Sequence, residues 1–285
     1  MHVAPHPTLE NLDMLTTSTI NGSNSQYVAN GIRVERYTPP TATVSKATPI
    51  ICVHGGLHGS WCFAEHARAY ANAGYDVHAL NWLGRGGSDD VATERFVKLS
   101  ISDVVDDIVR VSAGLETAPV LVAHSMGGLA AQLYATHHPV RALVLLTPVV
   151  PANLGAEPIE LPIGDPALPW QPPPPPMATQ LFFQGLDADE AVRLHALLVP
   201  ESPRRVLEAT RYTLTVEADK VIAPTLIVSG TRDRLVPPPL GRLLADLYGA
   251  DHREEAQHGH NVLLGPGAAR IAGDIVNWLN NKGVV

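Results

Sequence analysis

Cysteine is scarce: Cys52 and Cys62 are the two in 285 residues. A secreted domain stapled by disulfides would carry more, and no C-x-x-C spacing points to redox chemistry. Cys52 lies in an apolar run and reads as a small buried hydrophobe. Basic charge is also in deficit. Lys and Arg total 20 against 28 Asp and Glu, a formal net charge of -8. A surplus of acid argues against the basic patch from which nucleic-acid and anionic-membrane surfaces draw affinity. Long apolar runs are missing as well. No uncharged, continuously apolar stretch reaches the ~18 residues of a membrane span. The opening segment, MHVAPHPTLENLDMLTTSTINGSNS, lacks the basic start and the apolar run of ~7–15 residues that mark a secretory signal. These absences lead us to expect a soluble, cytoplasmic protein with no nucleic-acid or membrane partner.

What is present is a core. Hydrophobic residues make up 45% of the chain, enough for a substantial buried core, and its length suggests one large domain or one domain with an insertion. Residues 1–24 are polar and without period, and are expected to be a tail. Between Tyr27 and Arg36, β-prone residues flank Asn30-Gly31, a hairpin signal. Short apolar runs follow at Ile50–Val53, Val77–Leu80, Val120–Val122, Leu143–Leu146 and Leu226–Val228. Strands buried on both faces of a parallel sheet read this way. Helical patterns lie between them, at Trp61–Ala73, Ile101–Leu115, Gly128–Thr136, Leu240–Tyr248 and Ala268–Leu279. The alternation predicts an α/β fold with core segments 25–147 and 221–285.

Residues 148–220 break the alternation. Proline is frequent there, and Pro172–Pro176 reads as a stiff extended spacer. Helical pieces are expected at Thr179–Gly185, Ala188–Leu198 and Arg204–Thr215. We read the stretch as a helical cap inserted between two strands.

The segment Val120-Leu-Val-Ala-His-Ser125-Met-Gly-Gly128 carries the strongest chemical signal. An apolar strand ends, a serine follows among small residues, and a helix begins. A sharp strand-to-helix turn exposes the hydroxyl and aims helix N–H groups at a developing oxyanion. Ala123 stands where the usual G-x-S-x-G pattern has glycine. The plainer reading, a serine N-cap, does not account for the preceding strand. His124 is adjacent to the serine and is expected to be structural.

An oxyanion hole needs two donors. Met126 N–H opens the helix after the serine. The second is assigned to Gly56 N–H, in Val53-His54-Gly55-Gly56-Leu57-His58-Gly59-Ser60-Trp61, where glycine lets the backbone approach a substrate. The glycine spacing matches neither dinucleotide nor P-loop patterns. The serine needs a base and the base an orienting carboxylate. Asp233 follows an apolar strand and is the candidate acid, ahead of Asp89 and Asp90. His260 is the candidate base, preferred over His258 because it follows Gly259 and precedes an apolar run. No metal-ligand spacing appears, and no cofactor is expected.

With His54-Gly55-Gly56, Asn81-Trp-Leu-Gly84-Arg-Gly86-Gly-Ser88-Asp89, Ala123-His-Ser125-Met-Gly127-Gly128, Ser229-Gly-Thr-Arg-Asp233 and Gly259-His260 in this order, the chain resembles the α/β-hydrolase superfamily over about residues 25–281. The His54–Trp61 run is also similar to small plant-type esterases and their hydroxynitrile-lyase relatives. The resemblance implies a mostly parallel eight-stranded sheet with helices on both faces and a cap over the site. It implies a carboxylesterase-like serine hydrolase acting through Ser125, His260 and Asp233, with Gly56 and Met126 holding the oxyanion. Serine at 125 departs from the aspartate of epoxide hydrolases and haloalkane dehalogenases. Residues 221–281 contain no lysine, unlike the lyases. Thioesterase, carbon–carbon hydrolysis, a lyase or cyclase step and cofactor-free oxygenation remain alternatives, because one fold hosts many chemistries. Leu57, Trp61, Trp170, Phe182 and Phe183 are candidate pocket lining for a small apolar or amphipathic substrate, though each also suits a core.

Overall fold

The computed structural model describes residues 23–285. The expected tail therefore lies outside the described residues up to position 22, and the first strand begins inside its remainder. That strand, β1 (Asn24–Ala29), pairs with β2 (Ile32–Tyr37) as an antiparallel hairpin. Asn30 and Gly31 both take positive φ, 49° and 84°, the geometry of the primed two-residue turn that matches strand twist.

The remaining elements alternate. They are β3 (Ile50–Val53), α1 (Ala64–Asn72), β4 (Val77–Leu80), α2 (Thr93–Phe96), α3 (Asp103–Ser112), β5 (Val120–His124), α4 (Ser125–Ala135) and β6 (Ala142–Leu146). After them come α5 (Pro175–Leu181), α6 (Ala188–His195), α7 (Pro203–Arg211), β7 (Thr225–Gly230), α8 (Pro238–Tyr248), β8 (Asp251–Glu255) and α9 (Ala268–Asn281). The strands form one eight-stranded sheet in the order β1-β2-β4-β3-β5-β6-β7-β8. Pairings from β4 through β8 are parallel, and β2 joins β4 antiparallel.

Strand side chains alternate between faces, and the two cores follow that alternation. Ile51, Val53, Leu121, Leu143 and Ile227 pack with α3, α4 and α8 residues such as Ile108, Leu129 and Leu244. Their neighbours Ile50, Cys52, Val120, Val144 and Val228 pack on the other face with Tyr70 of α1 and Ile271, Ile275 and Leu279 of α9. Continuous apolar runs were the sequence signal because every position faces one core or the other. Strand β8 gave no such signal. Its sequence is Asp-His-Arg-Glu-Glu, it lies at the sheet edge, and only Glu255 of it is buried. Among the described residues both cysteines are buried and unbonded.

Helix boundaries differ from expectation at two informative places. Helix α4 starts at Ser125 rather than Gly128. Helix α5 starts at Pro175, so the last two residues of the proline run open a helix instead of extending a spacer. Proline suits the first helical position because its missing N–H would have no partner there. Helices α5–α7 lie in the segment between β6 and β7, called the insert below. A small core of Ala178, Phe182, Phe183, Ala191, Leu194 and Leu198 closes over Leu57.

Candidate active site

The C-terminal ends of β3, β5, β6 and β7 converge beneath the insert, where open α/β sheets leave a crevice. At the end of β5 the chain turns into α4 within one residue, and Ser125 makes that turn at φ 52°. A non-glycine residue in this region pays of order 1–2 kcal/mol. Neighbouring glycines make room for it. A Cβ on Gly127 would fall on the His54 carbonyl oxygen, and one on Gly128 would sit 2.7 Å from Pro148 Cβ. Ala123, buried in the sheet against Val53, carries its methyl into the core without disturbing the turn.

Three side chains meet above this turn. His260 Nε2 lies 2.8 Å from Ser125 Oγ. His260 Nδ1 lies 2.9 Å from Asp233 Oδ2. Asp233 Oδ1 accepts from the N–H groups of Leu235 and Val236 at 2.8 and 3.0 Å, which fixes the carboxylate toward the ring. All three residues are buried. The His260 carbonyl accepts from Thr147 Oγ1 at 2.7 Å and from His124 Nε2 at 3.1 Å. His124 therefore holds the backbone of His260 and does not touch Ser125 Oγ. His258 is half-buried beside Gly267, and its carbonyl accepts from Arg232 N–H.

The glycine loop after β3 stands opposite. A Cβ on Gly55 would lie 2.8 Å from Ser125 Cβ, and one on Gly56 would lie 2.6 Å from Met126 Sδ. The Gly55 carbonyl accepts from His54 Nδ1 at 2.7 Å, and the Gly56 carbonyl from His58 Nδ1 at 2.7 Å. Among the described residues the Gly56 N–H has no hydrogen-bond partner. The next N–H, of Leu57, donates to Glu201 Oε2 at 3.1 Å.

Burial governs the electrostatics. Desolvation holds His58 down at about 4, and pushes His54 and His124 well below the usual imidazole range. These rings are neutral donors and acceptors at neutral pH. Glu201 is fully buried on the insert. Desolvation alone would raise its carboxyl, but the guanidinium groups of Arg85 and Arg205 hold it below the usual range. Arg85 Nη2 is 2.7 Å from Glu201 Oε1, and both arginines lie over the Trp82 ring.

A cleft opens over Ser125 and His260. Its lining includes Leu57, Trp170 and Phe182, with Ile159, Val206 and Val236. Among the described residues, no Asp, Glu, Lys or Arg side chain lines it. Two expected lining residues lie elsewhere. Phe183 follows Phe182 at the end of α5 and points into the insert core. Trp61 stacks on the His58 ring at 5.2 Å, behind the cleft wall. Sequence reading had no signal for Glu201, a lone acid among prolines, or for Thr147. His58 stood inside the quoted motif, but nothing marked what its ring would hold. Among the described residues no cluster of His, Cys, Asp or Glu could hold a metal ion, and no helix is long and apolar enough to cross a membrane.

Comparison with known proteins follows the same lines. A family model described as "Alpha/beta hydrolase family" matches residues 50–272. A monoacylglycerol lipase of Mycolicibacterium smegmatis is 25% identical over 287 residues, spanning 92% of this chain and 98% of that protein. Methylesterase 9 of Arabidopsis thaliana is 32% identical over 108 residues, 35% of this chain and 40% of its own. Among solved structures, an N-acyl homoserine lactonase mutant complexed with N-hexanoyl homoserine superposes with a TM-score of 0.67 at 17% identity, covering 93% of this chain and 98% of that one. A membrane phospholipase A superposes with a TM-score of 0.65 at 19% identity, covering 93% and 88%. The last two likenesses bear on the fold alone.

Proposed function

The chain belongs to the alpha/beta hydrolase family, and from that premise we propose that it hydrolyses an uncharged, largely apolar carboxylic ester with Ser125 as nucleophile. The observation that carries this reading is the chain of contacts from Asp233 through His260 to Ser125 Oγ, at 2.9 and 2.8 Å, at the floor of an apolar cleft. Ser125 Oγ attacks the ester carbonyl as His260 Nε2 takes its proton. Asp233 holds the Nδ1–H tautomer and stabilises the imidazolium that forms. The carbonyl oxygen, now negative, lies between the N–H groups of Gly56 and Met126. His260 returns the proton to the departing alcohol. Water then enters, gives a proton to His260, and attacks the acyl-serine carbonyl, releasing the acid and restoring Ser125.

The insert serves as a cap that supplies Trp170, Phe182 and Val206 to the cleft wall. With no charged side chain on that wall, an anionic or cationic substrate would lose its hydration without a partner. Thr210 also lines the cleft, but its hydroxyl donates to the Val206 carbonyl at 2.8 Å and offers little to a substrate. A monoacylglycerol lipase and a methylesterase among the relatives are consistent with a neutral ester.

The test is a series of p-nitrophenyl esters from acetate to decanoate, run on wild type, Ser125→Ala and His260→Ala. Turnover that rises with acyl length and disappears in both variants is the expected result. Equal turnover in wild type and Ser125→Ala would overturn the reading.

A further inference from the structure

We infer that Glu201 is a positioning residue for the oxyanion loop, reaching from the insert to fix the Gly56–Leu57 peptide. The inference rests on the ester-hydrolase reading above and adds a residue to it.

The Gly56 N–H can serve an oxyanion only if the peptides around it hold one orientation. Gly55 and Gly56 offer no Cβ to resist rotation, so sterics do not orient the loop. Hydrogen bonds from its flanking histidines and from the insert do. The Gly55 carbonyl is turned away from the cleft by His54 Nδ1. The next peptide is gripped at both ends, its carbonyl by His58 Nδ1 and its N–H by Glu201 Oε2. The Leu57 carbonyl accepts from Val199 N–H at 2.9 Å, a second tie to the insert. Leu57 sits at φ 65°, a conformation that leucine avoids and that some partner must enforce. Rotating the peptide would set the Gly56 carbonyl against an ionised carboxylate.

Glu201 is built for this. Its Oε1 is occupied by Arg85, Arg205 and the Ser202 N–H, which leaves Oε2 for Leu57. Its backbone pairs with Trp170 through two hydrogen bonds of 2.8 and 2.9 Å, and Trp170 lines the cleft. The residue that orients the loop is thus anchored to the wall that the substrate meets.

Three variants test this. Glu201→Asp keeps both arginines neutralised and withdraws the carboxylate from the Leu57 N–H. Glu201→Ala removes it, and Glu201→Gln keeps its shape without the charge. We expect kcat on a p-nitrophenyl ester to fall ~10–100-fold in Glu201→Asp and Glu201→Ala, less than the loss of an oxyanion donor itself. KM should stay within about threefold, and Glu201→Gln should fall between these variants and wild type. Binding of an alkyl boronic acid, which mimics the tetrahedral state, should weaken in step with kcat/KM. A folded Glu201→Asp or Glu201→Ala with kcat within about twofold of wild type would overturn the inference and leave Ser125 untouched. A wild type without ester turnover would instead defeat the reading beneath it. One readout depends on neither folding of a variant nor turnover: the Leu57 amide proton of wild type. Donation to a carboxylate predicts a downfield amide shift, and an ordinary random-coil shift would overturn the inference.

Discussion

Two turns face each other across the proposed reaction centre, and they are held by different forces. The turn at Ser125 is held by sterics and covalent geometry. A strand ends, a helix begins, and neighbouring backbone leaves no volume for any other path. The loop at Gly56 is held by hydrogen bonds from its flanking histidines, His54 and His58, and from Glu201 and Val199 of the insert. A local turn is fixed by what its own residues exclude, and a glycine loop by the hydrogen bonds that its flanking histidines and the distant insert supply. The first should therefore break as a fold and the second as a catalyst.

The largest effect belongs to Ser125→Ala. It removes Oγ but keeps the Cβ that the turn already accommodates. Ester turnover should fall ~10^4-fold or more, with stability to urea within about 1 kcal/mol of wild type. Gly127→Ala comes next and strikes the same turn differently. Its methyl would collide with the His54 and Val53 carbonyl oxygens, which are backbone and cannot yield without moving β3. We expect a loss of about 3 kcal/mol, read as a lower urea midpoint or as insoluble protein. A Gly127→Ala variant with wild-type stability would show that the turn is looser than its packing implies.

Gly56→Ala tests the other side. Its methyl would press on Met126 Sδ and Cε, at 2.6 and 2.8 Å, and the far end of a methionine can move. Stability should hold within about 1 kcal/mol. The displaced thioether and the shifted N–H should still lower kcat/KM about tenfold. If Gly56→Ala unfolded the protein instead, the contrast between the two turns would fail.

The same contrast decides what could be read from sequence. The Ser125 turn was legible because its determinants are consecutive: apolar strand, small residues, serine, helix. The parallel strands were legible because burial on both faces leaves continuous apolar runs. Strand β8 was not, since an edge strand needs only one partner and tolerates Asp251, Arg253 and Glu254. Asp233 could be picked out because it follows the end of an apolar strand, and His260 because it follows Gly259 and precedes an apolar run, although nothing in the spacing tells which side chain meets which. Glu201 could not be found at all. It lies 144 residues from Leu57, between prolines, and its partners Arg85 and Arg205 follow no period. Phe183 was misplaced for the opposite reason: adjacent aromatics look alike in sequence, and the end point of α5, set by prolines read as a spacer, decides which one faces the cleft.

Acid offers a further test, and at neutral pH its effect vanishes. His58 donates Nδ1–H to the Gly56 carbonyl, so its Nε2 is an acceptor, and it lies 3.2 Å from Asn261 Nδ2. Burial opposes a charge on this ring, a proton on Nε2 would face that amide's own N–H groups with His260 and Arg85 nearby, and only the Gly56 carbonyl and Glu201 favour it. Folding thus lowers the His58 value from 6.5 to about 4. Below 6.5 the unfolded chain takes up a proton that the native state refuses. The contribution of His58 is complete above pH 6.5 and is lost as pH falls toward 4, by about 1.4 kcal/mol for each pH unit. His54, His66 and His124 are depressed in the same direction by burial and should steepen the loss. The urea midpoint should hold from pH 8 to 7 and drop clearly from pH 6 to 5. His58→Phe would remove one such proton and flatten that slope, at the cost of the bond to the Gly56 carbonyl, so kcat should fall even as acid tolerance rises. An unchanged slope in His58→Phe would mean that this ring takes up its proton as readily in the native state as in the unfolded chain, and that its Nε2 is not held as an acceptor by Asn261.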